Sequence, residues 1–163
     1  MIHPDYCRMM ARYNSWQNTS LLDAAATLTE QARRLDRGAF FGSITATFEH
    51  LLQDDALWLA RFGGNPRPED LTTPPPSVFD ELIRQRSALD HQIEAWCANL
   101  GDKDLDGDVI WYPGGGTIRA SKPRRLCLMH MFNHQTHHRG QVHAMLTAAG
   151  AAPGVTDLPM LPS

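Results

Sequence analysis

The chain has no excess of basic charge: 15 Lys and Arg stand against 18 Asp and Glu in 163 residues, and the pI is near 6.2. Without a positive surface field, nucleic acid and anionic lipid are both excluded as partners on this reading. No apolar run approaches the roughly 20 residues needed to cross a bilayer. Asp5, Arg8 and Arg12 occupy the stretch where a signal peptide would be apolar, so a cytoplasmic protein without a membrane partner is expected. Cysteine is scarce as well. Cys7, Cys97 and Cys127 are odd in number and far apart, which excludes a disulfide framework and a CxxC zinc knuckle. No histidine has Glu three residues before it, so the Glu-x-x-His pairs of a di-iron bundle are missing. Gly114-Gly115-Gly116 lacks the Gly-Lys-Ser/Thr of a phosphate loop and reads as a turn.

What is present is helical periodicity and histidine. Leu21, Leu28 and Leu35 recur every seven residues, with Met10, Tyr13, Trp16, Ala25 and Ala32 at helical offsets, and predict one long helix from Asp5 to Arg37, stopped by Gly38. Ile44, Phe48, Leu51, Leu52, Leu59 and Phe62 predict a second helix from about Phe40 to Phe62. The stretch from Asn65 to Pro76 holds five prolines and reads as an exposed crossover. Ser77 and Asp80 form a capping-box pattern ahead of a third helix carrying Val78, Leu82, Leu89, Ile93, Trp96 and Leu100. Val109–Tyr112 and Thr117–Ala120 are β-prone and flank the glycine turn. Ser121 and Pro123 then open a fourth helix that runs to Ala149, ahead of Gly150 and a Pro-rich irregular tail. The expected fold is all-α: a single domain over 1–163, built as a four-helix bundle with a long crossover and a small irregular or hairpin insertion before the last helix.

The chain carries 8 histidines, and the informative ones lie in His130-Met-Phe-Asn-His134-Gln-Thr-His137-His138-Arg139-Gly140-Gln141. Side chains four apart share a helix face, so His134 and His138 form a metal chelate. The spacing is that of the HExxH peptidases, but Gln135 stands where those enzymes carry their general base, which disfavours peptidase chemistry. A catalytic zinc commonly takes three protein ligands and keeps a position open. His50, on the flank of the second apolar stripe, is the best third ligand. Asp54, one turn on, is placed to orient a ligand or a bound water. His130 has three readings: fourth ligand, substrate contact or polar wall. Asp54 and His130 are the candidates for steering a proton. Any single histidine beside apolar residues is more often a hydrogen-bonded core residue, and His137 is read that way; His3, His91 and His143 lack partners at useful spacing and are read as surface or core fillers. Cys127 reads as packing, Lys122, Arg124 and Arg125 as a solvated helix end, and Arg139 as a salt-bridge partner in preference to a contact for an anionic substrate.

Three stretches carry a family resemblance. Tyr13-Asn14-Ser15-Trp16-Gln17-Asn18, the run from Asp36 to Ile44 leading into His50-Leu51-Leu52-Gln53-Asp54-Asp55-Ala56-Leu57-Trp58, and Asn133 to Gln141 together resemble the DinB-like proteins over roughly Asp5 to Gly150. The resemblance implies a four-helix bundle with a divalent metal, Zn²⁺ or Ni²⁺, held by three histidines, and assembly as a homodimer. Carried onto this chain by motif, the ligands are His50, His134 and His138, the three that spacing selects. It further implies a metal-dependent transferase or hydrolase acting on a small-molecule substrate, with a low-molecular-weight thiol as the candidate. A non-catalytic metal-binding stress-response protein and a metal-free bundle with polar core histidines are the alternatives.

Overall fold

A computed structural model describes residues 2–65, 76 and 78–163. Four long helices pack together: α1 (Pro4–Ala26), α3 (Ile44–Phe62), α4 (Phe79–Ala98) and α5 (Arg124–Ala148). A short α2 (Glu30–Arg34) follows α1, and an antiparallel hairpin of β1 (Asp108–Trp111) and β2 (Ala120–Pro123) precedes α5. The expected bundle with a hairpin insertion is therefore observed. Phe48, Phe132, Ile44, Leu51, Leu82, Ile93, Leu128, Met131 and Leu146 lie at its centre, all fully buried. Burying each such side chain is worth about 1.5–3 kcal/mol.

The single helix expected from Asp5 to Arg37 is broken at Thr27–Thr29. The Thr27 hydroxyl donates to the Ala24 carbonyl at 2.7 Å, and Thr29, in extended backbone, accepts the Ala32 amide at 3.2 Å to cap α2. Short hydroxyl side chains compete with the helix for backbone partners, and here two of them end one helix and start another. The seven-residue leucine spacing runs across this break by coincidence, and Leu35 is 55% exposed.

The second expected helix begins four residues late. Gly42 has φ +75°, and the next residue, Ser43, accepts the Ala46 amide on Oγ at 3.2 Å as the cap of α3. Phe40 and Phe41 are thereby left in a tight turn closed by the Ala39–Gly42 bridge, and this frees Phe41 to fold back over α3. Replacing Ser43 by alanine is expected to cost ~1 kcal/mol, read as a lower urea midpoint without a change in slope.

The proline-rich crossover and the Ser77 capping box lie outside the described residues, apart from Asn65 and Pro76. In the structure α4 starts after Val78, which provides no side-chain cap. The second strand is Ala120–Pro123 rather than Thr117–Ala120, so Ser121 belongs to the hairpin and not to α5. Its hydroxyl donates to Asp108 Oδ2 at 2.7 Å across the pair, while Ile118 stands exposed in the connecting turn. Pro123 lacks an N–H and so closes the strand directly before the first turn of α5. Gly150, at φ +81°, follows the end of α5 as expected. The tail then lies along α1, where Tyr13 and Gln17 donate to the carbonyls of Thr156 and Val155 at 2.6 and 2.9 Å.

One feature of the interior has no counterpart in the apolar pattern. Arg86 on α4 is 1% exposed and reaches Asp55 on α3 at 2.7 Å and Asp90 at 2.8 Å. Asn14 and Asn18 of α1 donate to Asp90, Gln135 of α5 donates to Asp55, and Arg139 donates to Asn14. Two guanidinium groups and two carboxylates are thus buried together without net charge and tie all four helices.

Candidate metal centre

The geometry of α5 separates its polar residues into two stripes. His130, His134, His138 and Gln141 follow one face at helical spacing, while Gln135 and Arg139 sit about 100° further round and enter the buried charge network. On the facing α3 the same split occurs between His50 with Asp54 and the buried Asp55. Packing α3 against α5 therefore brings the histidine stripe against His50.

His50 Nε2 and His134 Nε2 lie 3.1 Å apart. The ring centroids are 5.0 Å apart for His50 and His134, 4.7 Å for His50 and His138, and 4.4 Å for His134 and His138. Each ring offers a nitrogen within 4.8 Å of the others, so the three form a group that can hold a metal ion. Two nitrogens bound to one tetrahedral cation at 2.0–2.1 Å stand ~3.3 Å from each other, close to the separation observed between His50 and His134. Burial pushes the His50 and His134 pKa values down to about 4; for His50 the nearby Asp54 opposes the shift and the other two rings add to it. Both rings are thus neutral at pH 7, the form that ligates.

Asp54 Oδ2 is 3.3 Å from His134 Nδ1, and both atoms are buried without a well-aligned hydrogen bond. The donor set fits a cation: three imidazoles converge, two of them held neutral by burial, and a carboxylate lies behind one of them. Burial raises the Asp54 pKa, an effect opposed by His50, His130, Arg61 and a hydrogen bond from Trp58. Asp54 thus faces His134 across the α3–α5 interface.

The other expected residues fall outside the group. His130 is exposed, its ring 5.6 Å from that of His134 and 5.2 Å from that of Trp58, beside the three-histidine group and outside it. His137 is exposed and lies against Gln141. Cys127 is buried packing, and burial raises its thiol pKa, that of Cys7 to about 11 and that of Cys97 to about 12. Arg124 donates to the Phe62 carbonyl and Arg125 to the Ile2 carbonyl and Asp106, so two of the three basic residues at this helix end serve the fold. Arg139 is a correction: among the described residues it makes no ion pair within 4.0 Å and donates instead to Asn14 and Thr136. Burial lowers its pKa to about 10, which leaves it charged at pH 7.

Two residues near the histidines have no role in the sequence reading. Phe41 stacks on His50 at 3.9 Å and 24°, and its ring is 5.3 Å from that of His138. It reaches them only because α3 starts at Ile44. Gln141 Oε1 lies 2.8 Å from His138 Nδ1, three residues along the same helix, a spacing that could have drawn attention to it.

Among the described residues, no helix is long and apolar enough to cross a membrane. No solved structure gives a significant match to this chain. Protein DinB of Bacillus subtilis (strain 168) is similar to it, 24% identical over 164 aligned positions that cover 94% of this chain and 91% of that protein. The model of the DinB family matches residues 1–163, and with the bundle and its three converging histidines already in view, the chain belongs to the DinB family.

Proposed function

We propose that the chain is a metal-dependent enzyme, a transferase or hydrolase in which His50, His134 and His138 hold Zn²⁺ or Ni²⁺. The observation that carries this reading is the convergence of three imidazoles, two of them held neutral by burial, from two helices far apart in sequence. Among the described residues the group has three members and no fourth: His130 stands outside it, and Asp54 lies behind His134. Three ligands with an open position is the catalytic arrangement, so this favours an enzyme over a stress-response protein whose ion merely fastens α3 to α5. A divalent cation at such a centre supplies Lewis acidity that lowers the pKa of water or of a thiol.

The chain's own thiols are buried and their pKa values raised, so a thiol nucleophile has to arrive as a small molecule. A low-molecular-weight thiol, a cytoplasmic setting and a homodimer complete the proposal. Elemental analysis of protein purified without a metal-affinity tag tests it. About one divalent ion per chain is expected in the wild type and none in His134→Ala or His50→Ala. With Co²⁺ in place of the natural ion, added thiol should change the visible spectrum. A wild-type protein that retains no ion after loading and dialysis overturns the reading, and a cobalt spectrum indifferent to thiols or other small ligands returns the centre to a fastening role.

A further inference from the structure

An imidazole ligates a metal through one ring nitrogen, and the hydrogen bond made by the other decides which nitrogen is free. For His138 that bond is visible. Its Nδ1 lies 2.8 Å from Gln141 Oε1, and an amide oxygen can only accept, so Nδ1 carries the proton. The amide is itself held, because Gln141 Nε2 lies 3.3 Å from His137 Nε2 and donates to it. His138 is 7% exposed, which leaves little water to compete for its Nδ1–H. His134 has a carboxylate behind it instead, 3.3 Å away and poorly aligned. The better-made of these two supports is the neutral amide.

We propose that Gln141 is a positioning residue of the metal centre, holding the proton of His138 on Nδ1 and so presenting the Nε2 lone pair to the ion, with His137 fixing the orientation of the Gln141 amide. The second nitrogen of His137 thereby gains a role that its exposed position alone does not suggest. The proposal rests on the three-histidine metal reading for its consequence, though the hydrogen bond exists without an ion.

Two measurements separate the parts. In the metal-free protein at pH 8, long-range ¹H–¹⁵N correlation of the His138 ring should show the proton on Nδ1 in the wild type. A proton on Nε2 would mean that the Gln141 amide is turned over and donating, and would overturn the proposal without reference to any metal. In the second, Zn²⁺ affinity is read by competition with a chromophoric chelator. Gln141→Leu, close in volume and a good helix former, should bind ~10–100-fold more weakly. Gln141→Glu restores an acceptor at the same reach and should bind at least as tightly as the wild type. Equal affinity in the leucine variant, or failure of the glutamate variant to recover, counts against Gln141. A wild type that binds no Zn²⁺ overturns the metal reading and leaves the tautomer to decide the hold of Gln141 on His138.

Discussion

Replacing Arg86 by alanine is expected to destabilise the fold by ~3–5 kcal/mol, the size of effect seen when one partner of a buried ion pair is removed. Arg86 faces Asp55 at 2.7 Å and Asp90 at 2.8 Å with almost no contact with water. Its loss leaves two carboxylates enclosed with only the Arg139 cation in the same network. The cost lies in that uncompensated charge rather than in a missing contact, which gives a distinguishing control. Arg86→Met preserves the packing of the stem and should be nearly as damaging, whereas losing shape alone would let it recover. Arg86→Lys should recover only part, because a single ammonium cannot meet two carboxylates as a planar fork does. Urea unfolding followed by circular dichroism measures all three. A loss under ~1 kcal/mol in Arg86→Ala would mean that the four charges are not acting as one neutral set. Because Gln135 bonds Asp55 and adjoins His134, the same variants are also expected to loosen α5.

That network shows why part of the interior was not legible in the sequence. Leu82, Leu89 and Ile93 announce the buried face of α4, and Arg86 and Asp90 sit among them at i,i+4, a pairing far commoner on solvated helix surfaces. Nothing local says that this pair is turned inward. Its partners Asn14, Asn18, Asp55 and Gln135 come from three other helices, and only the packing makes them neighbours. The helix ends failed for a different reason. Apolar spacing continues through Thr27–Thr29 and through Phe40–Gly42, while the chain obeys hydroxyl caps and a positive φ at Gly42.

The three-histidine group was legible because it rests on two local facts, a four-residue spacing on one helix and a histidine on the flank of another apolar stripe. The fold supplied what spacing cannot: that Phe41 stacks on His50, that His130 stays outside the group, and that Gln141 Oε1 lies 2.8 Å from His138 Nδ1. Asp54 was found by its offset from His50, yet it sits behind His134, on the facing helix. Offsets along one helix place a residue on a face, and the partner across the interface then determines which side chain it serves.

A metal held by His50, His134 and His138, as proposed, should be released by acid unusually gradually. Each histidine that must lose a proton to bind makes affinity fall tenfold per pH unit below its own pKa, so three rings with the ordinary value near 6.5 would fall by up to ~10³-fold per unit. Here burial brings His50 and His134 down to about 4, which removes two of the three from the competition until well below pH 5. With His50 and His134 out of the competition, the expected fall between pH 6.5 and 5 is well short of the three-ring slope. Chelator competition across that range measures the slope, and a value near three decades per unit would show that the rings are not desolvated as described. The metal-free protein provides the matching thermodynamic test. A histidine whose folded pKa lies below its unfolded one contributes stability that is complete above pH 6.5 and is lost as the pH falls toward 4. For the two rings together the loss is ~2 kcal/mol, less than the bare shifts imply because each ring is partly in contact with water. It should disappear in the His50→Gln, His134→Gln double variant. The burial that makes these rings poor bases therefore costs stability in acid and keeps them available as ligands over the same pH range.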